Sequence, residues 1–441
     1  MKLPEQVLTC IQTLEAAGYK AYCVGGCVRD SMLGLMPQDY DLCTDATPDV
    51  TAALFAGHTL VRSGEKHGTI GVVFGKTVYE ITTFRTEGGY LDNRHPDWVQ
   101  FVPNVAEDLA RRDFTVNAMA YNPKEGLVDP SGGQQDLNNQ VLRAVGEPEV
   151  RFTEDALRIL RGVRFALRFR LTPESATKEA MFRLAPLMDK LARERVFEEL
   201  CKLIIRATAD DLLTYAPILT QVIPELGASV GFSQCSPHHA FDVFTHTAYV
   251  VENVPPVLPL RLAALLHDMG KPQVFTLDEN GRGHFKQHAP TGAEMADAVL
   301  RRLKAPTALR EQVVFLIEKH MTPLEPDRKL LRRRLGQYGQ ENCRLLLQLQ
   351  EADFRSKGVP TNEAPPFDAI RDLLDTILRE ADCLHIRDLA VDGKDLMALG
   401  IPAGPQLGKL LECLLEQVQQ ETLPNEKEAL LKAAEAIQPS N

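Results

Sequence analysis

Several things are missing from this 441-residue sequence. No run approaches the about 18 consecutive apolar residues that a membrane-spanning helix requires. The N-terminus, MKLPEQVLTCIQTLEAAGYK, has the spacing of an amphipathic helix and lacks the continuous apolar core of a secretory signal. The nine cysteines are odd in number, scattered and without a CxxC pair. That argues against a disulfide frame or a cysteine zinc site and points to reduced thiols in the cytoplasm. There is no internal repeat and no low-complexity tract. There is also no excess of positive charge: the net charge is −11. This does not exclude a nucleic-acid partner, because phosphate contacts need only a local basic surface. Two such surfaces exist, six arginines between Arg151 and Arg170 and the run from Arg328 to Arg334 that includes Lys329.

What is present divides by texture. Up to about residue 143 short β-rich runs alternate with turns and helices: AYCV (21–24), YDLC (40–43), TIGVVF (69–74) and VYEITTF (78–84). From about 150 onward, segments such as DALRILRGVRFALRF, VFEELCKLIIRA, RLAALLHDMG and REQVVFLIEKHM repeat apolar residues at helical spacing, and strands nearly vanish. The expected fold is α+β, a mixed-sheet head followed by an all-helical remainder. PPVLP (255–259), GVPTNEAPP (358–366) and IPAGP (401–405) are the expected connectors.

The head carries VGGCVRD (24–30) and then PQDYDLC (37–43). A strand running into Gly25-Gly26 lets backbone approach a phosphate, with helix N–H groups and Arg29 following. Asp39 and Asp41, two apart in extended chain, project from one face. Such a carboxylate pair suits Mg²⁺, which holds a triphosphate and polarises a hydroxyl. In VYEITTFR, alternation puts Glu80 with Val78 and Thr82, a charge in an otherwise apolar strand that would complete an Asp-Asp-Glu set.

Taken in order, GGxVRD, DYD, HGT (67–69), TTFR (82–85), DNRHP (92–96), RRDFTVNA (111–118) and EDALRILRGVRFALRF (154–169) resemble the class II tRNA nucleotidyltransferase and bacterial poly(A) polymerase family. The resemblance covers about residues 20–205. It implies that Asp39 and Asp41 hold two metals, that Gly26 and Arg29 contact the incoming nucleotide, and that Arg112 binds triphosphate or orients the RNA 3′ end. It also implies that Thr86 to Asn104, around Asp92-Asn93-Arg94-His95-Pro96, is the loop that repositions between CTP and ATP. Relatives that add only CC typically lack this loop. The expected partners are tRNA, CTP and ATP, with no membrane and no obligate protein partner.

A helix opening at Glu154 would place Asp155, Arg158, Arg161 and Arg164 along one side at three-residue spacing. Asp155 can accept from an exocyclic amine, and Arg158 can donate to a ring nitrogen or carbonyl. Cytosine and adenine both offer an amine beside a ring acceptor. Uracil and guanine set a carbonyl against the carboxylate, a difference of about 1–3 kcal/mol per bidentate contact. By resemblance this helix replaces a template, with Arg161 and Arg164 holding the nucleotide or the helix.

Farther on, His246 in FTHT, His267-Asp268 in ALLHDMGKP and Asp353 in LQEADFRSKG resemble the metal set of the HD phosphohydrolase superfamily, with His288 and His320 where many such proteins carry further histidines. Mixed imidazole and carboxylate ligands suit Ni²⁺, Co²⁺ or Mn²⁺. The last segment, from LAVDGKDLMALG, resembles the tail of tRNA nucleotidyltransferases from Gram-positive bacteria. Its LGIPAGPQLGKLL reads either as a backbone-phosphate contact or as helix packing. The expected domains are a head (1–143), a neck with the nucleotide-selecting helix (144–205), an HD-containing body (206–357) and a tail (358–441). The expected activity is addition of C, C and A to the tRNA 3′ end from CTP and ATP, releasing pyrophosphate. The competing readings are a poly(A) polymerase, a partial CC- or A-adding enzyme, an HD phosphohydrolase acting on RNA ends, and a non-catalytic RNA-binding protein.

Overall fold

A computed structural model describes residues 1–88, 98–359, 364–380 and 383–437. The centre of the expected nucleotide-switching loop, Asp92 to Pro96, lies outside them. The chain forms two compact units, one of residues 1–207 with 214–224 and the other of residues 208–213 with 225–441.

The first unit is built on a seven-stranded mixed sheet in the order β3-β4-β5-β2-β1-β8-β9. Its strands are β1 (Ala21–Val24), β2 (Asp41–Thr44), β3 (Thr59–Val61), β4 (Thr69–Phe74), β5 (Thr77–Thr83), β8 (Ala120–Asn122) and β9 (Gly126–Val128). A separate antiparallel pair joins β6 (Arg85–Gly88) to β7 (Trp98–Phe101). The expected strands form within a residue of their places. Along β5, Tyr79, Ile81 and Thr83 are buried while Val78 and Glu80 are exposed, so alternation sorts the two faces. All other neighbours in the sheet are antiparallel, but β2 and β5 run parallel, with Leu42 beside Ile81. One step earlier, Asp41 and Glu80 therefore sit side by side on the opposite, open face.

Around the sheet lie α1 (Glu5–Ala16), α2 (Gly26–Met32), α3 (Pro48–Leu54), α4 (Val105–Ala110) and α5 (Gly133–Asn138). They are followed by α6 (Pro148–Glu154), α7 (Leu157–Phe169), α8 (Ser175–Leu184) and α9 (Arg193–Ile204). The Asn104 side chain caps α4 by accepting from Ala106 N–H at 3.0 Å. Tyr22, Val24, Phe84, Leu109 and Ala120 close the core between sheet and helices.

The sequence led us to expect one helix opening at Glu154, and the structure corrects this. α6 ends at Glu154 and Asp155 is extended, with φ −142° and ψ 101°. A new helix starts at Leu157, whose N–H donates to Asp155 Oδ1 at 3.0 Å. The short Asp side chain bonds backbone just ahead of a helix better than it fits inside one, so it divides the run.

Among its described residues, the regular structure of the second unit is helical apart from a short antiparallel pair, Thr276–Leu277 with Gly283–His284. The segment PPVLP runs from the gap after the helix Val243–Asn253 into the first turn of Leu258–Leu266, and IPAGP runs from the gap after Gly393–Ala398 into the start of Pro405–Gln419. Leu396, Leu414 and Leu430 close the core of the last helices.

Candidate active site

Three carboxylates share the open face of the head, without closing into a compact ligand group. Asp39 and Asp41 are exposed at the entry to β2, and Glu80 follows on the neighbouring strand. Asp41 still reaches solvent, yet the protein crowded around it and the neighbouring Asp39 and Glu80 charges push its pKa up to about 6, against the opposing pull of Arg112. A divalent cation would favour the ionised form of Asp41, and the all-oxygen donor set fits Mg²⁺.

Gly25, at the end of β1, has φ +76° and precedes α2. A Cβ there would stand 2.8 Å from the Arg112 guanidinium, so the missing side chain makes room for that cation. Arg112 is set behind by Asp108, buried and shared with Arg111 at 2.7 Å and Arg112 at 3.5 Å. Gly26 opens α2 beside it. Arg29, expected at the nucleotide, is turned inward: it pairs with Asp30 at 2.6 Å, bonds Asn117 and stacks over Phe169 at 4.2 Å. It ties α2 to α7.

Arg112 also lines a cavity of about 260 Å³ with Arg111, Asp113, Asp155, Arg158, Arg161 and Arg195. Asp155 and Arg158 both face it, yet their side chains are not paired with each other. Arg158, buried, is held by Glu154 at 2.7 Å and by the carbonyls of Arg151 at 3.1 Å and Arg111 at 3.2 Å. Asp155 instead accepts from Arg195 at 2.8 Å. Arg161 pairs with Asp113 at 2.7 Å. Burial alone would raise Asp113, but Arg161 and the Asn117 amide hold it down at about 2. Arg164 leaves the cavity for Glu199 at 2.5 Å and lies 4.2 Å over the Phe165 ring, joining α7 to α9. Asp108, Asp113 and Arg195 were not singled out from sequence. Asp113 is the acid of the RRD motif and Asp108 lies three residues before it, so both could have been found there, whereas nothing local marks Arg195.

In the second unit four histidines and two aspartates meet. The ligand atoms of His246, His267 and Asp268 lie within 4.8 Å of one another, as do those of Asp268, His288 and His320. Among the described residues, these are the compact groups that could hold a metal ion. His246 Nε2 is 2.9 Å from Asp353, and Asp268 receives Lys271 Nζ at 2.7 Å. Each histidine turns Nδ1 to a backbone carbonyl: His246 to Ser356 at 3.2 Å, His267 to Ala264 at 2.8 Å, His288 to Phe285 at 2.8 Å and His320 to Ile317 at 2.7 Å. A carbonyl only accepts, so Nδ1 carries the proton and Nε2 faces the centre. Gly270 lets the helices approach: a Cβ there would stand 2.5 Å from the His288 carbonyl oxygen and 2.7 Å from Gly292 N.

The fold and the carboxylate site define a nucleotidyltransferase. Residues 21–143 match the poly A polymerase head domain. Residues 170–229 match an RNA- and SrmB-binding site of polymerase A, and residues 287–434 match tRNA nucleotidyltransferase domain 2. The CCA-adding enzyme of Levilactobacillus brevis is 35% identical over 432 residues, 96% of this chain and 95% of its own. That of Streptococcus suis is 33% identical over 442 residues, 98% of this chain and 96% of its own. The crystal structure of the Bacillus stearothermophilus CCA-adding enzyme in complex with CTP aligns with a TM-score of 0.73 at 28% identity, covering 99% of this chain and 98% of that one. This chain belongs to the CCA-adding enzymes, the particular nucleotidyltransferases that act on tRNA ends.

Proposed function

We propose that the first unit adds C, C and A to the 3′ end of tRNA from CTP and ATP, with Asp39, Asp41 and Glu80 binding Mg²⁺ and the cavity at Asp155 and Arg158 receiving the base. The observation that carries this reading is the position of Arg112. It is close enough to influence Asp41, packs over Gly25 and lines the base cavity, so a triphosphate held by Arg112 spans from the carboxylates to the selecting residues. Mg²⁺ bound by Asp39, Asp41 and Glu80 would polarise the 3′-hydroxyl and would neutralise charge on the departing pyrophosphate. The 3′-hydroxyl loses its proton to solvent, and its oxygen bonds to the α-phosphorus as the bond to pyrophosphate breaks, in line. Arg112 and the N–H groups after Gly25 orient the phosphates. Arg158 keeps an Nε–H and one Nη2–H beyond its three protein contacts, and Asp155 keeps spare lone pairs on both oxygens. Cytosine and adenine satisfy both, while uracil and guanine leave a carbonyl against Asp155. Asp39→Ala and Asp41→Ala each abolish transfer of both C and A, with tRNA affinity within a few-fold because phosphate contacts are distributed. Near-normal turnover in either variant contradicts the assignment. We further divide the chain into head (1–143), neck (144–205), body (206–357) and tail (358–441), and place it in the cytoplasm, where its free cysteines stay reduced.

A second activity is favoured by one observation. His288 and His320 bring their Nε2 atoms to 3.2 Å with both Nδ1 protons already committed to carbonyls, so two lone pairs confront each other. His267 Nε2 lies buried 3.2 Å from Asp268 Oδ2, which also meets the Lys271 ammonium at 2.7 Å. A cation between the two facing Nε2 atoms resolves their repulsion. We read the cluster as an HD-type centre in which His246, His267, Asp268 and Asp353 hold Ni²⁺, Co²⁺ or Mn²⁺, with His288 and His320 adjoining through Asp268. It suits phosphohydrolysis of 2′,3′-cyclic phosphate or phosphomonoester RNA ends. His267→Ala removes metal binding and that hydrolysis while CCA addition stays within a few-fold. Loss of both activities together makes the cluster structural instead.

A further inference from the structure

We infer that Arg195 is a positioning residue for nucleotide selection, fixing the Asp155 carboxylate with one arm of its guanidinium and completing its other arm on the bound nucleotide. The inference rests on the reading that Asp155 selects the base.

Asp155 lies at a break between two helices, where a lone side chain would be free to swing. Its Oδ1 is fixed by the Leu157 N–H at 3.0 Å and its Oδ2 by Arg195 Nη2 at 2.8 Å. The nearer candidate for that ion pair, Arg158, is already held by Glu154 and two carbonyls. The acid and base of the selecting pair are thus clamped separately. Were they bonded to each other, they would neutralise the donor and acceptor that a base has to meet.

Two features set Arg195 apart from an ordinary surface cation. It is the third residue of α9, where a positive charge opposes the helix dipole, so its position is unfavourable unless an anion answers it. Asp155 is that anion, contributed from forty residues earlier in the chain. In addition, Arg195 Nη1 is buried, has no hydrogen-bond partner among the described residues, and belongs to a side chain lining the cavity. A buried donor left unpaired is unfavourable, and a ligand in the cavity supplies the acceptor. Arg193, two residues earlier, bonds the Asp189 carbonyl at 2.9 Å on the exposed side and has no such place.

The test compares Arg195→Ala, Arg195→Lys, Asp155→Ala and the double variant Asp155→Ala/Arg195→Ala. It measures kcat/KM for CTP and for UTP on tRNA ending at the discriminator base, with melting curves as the control for folding. Arg195→Ala is expected to lower the CTP-to-UTP ratio about tenfold or more and to raise KM for both nucleotides. Arg195→Lys, which keeps the charge but loses the fork, falls between. Because Arg195 acts on selection through Asp155, the double variant discriminates no worse than Asp155→Ala alone. If Asp155→Ala collapses the ratio while Arg195→Ala and Arg195→Lys leave it intact, Arg195 is structural and the inference fails alone. If Asp155→Ala itself leaves the ratio unchanged, the base-selection reading fails and takes the inference with it.

Discussion

Gly270 offers a substitution whose effect can be worked out from distances. Its backbone is ordinary, with φ −78° and ψ −15°, so alanine meets no conformational penalty there. The added methyl would nevertheless stand 2.5 Å from the His288 carbonyl oxygen and 2.7 Å from Gly292 N. Both are backbone atoms of the helix His288–Arg302, and neither can rotate away. The helix must shift by several tenths of an ångström to restore contact distance, carrying His288 away from Asp268. Overpacking of this kind destabilises by about 1–3 kcal/mol. In a unit of this size each kcal/mol lowers the melting temperature by about 2–4 °C, so Gly270→Ala melts roughly 2–12 °C lower. Calorimetry on the full chain reads the shift, and titration with Mn²⁺ or Ni²⁺ reads the loss of affinity at the histidine cluster. Nucleotide addition at 25 °C stays within a few-fold, because its residues belong to the other unit. A variant that melts within about 1 °C of the parent and binds metal as tightly refutes the reasoning.

Two further outcomes follow from the first unit. Asp41 has a pKa raised from 3.8 to about 6 in the folded protein, so its ionised form is disfavoured there relative to the unfolded chain. In chelator, Asp41→Asn therefore raises the melting temperature at pH values above about 6, and the gain fades as the pH falls towards 4. An equal gain at both pH values contradicts this. Glu199 is buried against Arg164 on α7, so Glu199→Ala strands a buried cation and destabilises by about 3–5 kcal/mol in denaturant unfolding. A loss under about 1 kcal/mol removes the Arg164–Glu199 pair from the account.

Much of the head could be read from the sequence because its signals are local. β-branched runs gave strands β1, β2, β4 and β5, and alternation alone put Glu80 on the open face. The Asp39–Asp41 spacing placed both at the entry to β2, although the parallel pairing that sets Asp41 beside Glu80 is a property of the sheet. What stayed hidden depends on partners distant in the chain. Arg29 follows a glycine turn in the manner of a phosphate ligand, but Asn117 and the aromatic rings of α7 claim it. The arginines of α7 repeat every three residues, yet Arg161 and Arg164 answer to Asp113 and Glu199, while Asp155 breaks away from their helix altogether. His288 and His320 were suggested by resemblance alone. Their meeting requires helices to approach across Gly270 and Gly292, which no periodicity encodes.

The central claim is that one cavity reads both C and A and then stops. It is tested most directly by incubating purified protein with tRNA ending at the discriminator base, supplying each nucleotide singly and in pairs, and sequencing the 3′ ends. The account predicts CC from CTP alone, CCA from CTP with ATP, and no extension from UTP or GTP. Long A-tails from ATP, or arrest at CC with ATP present, contradict it.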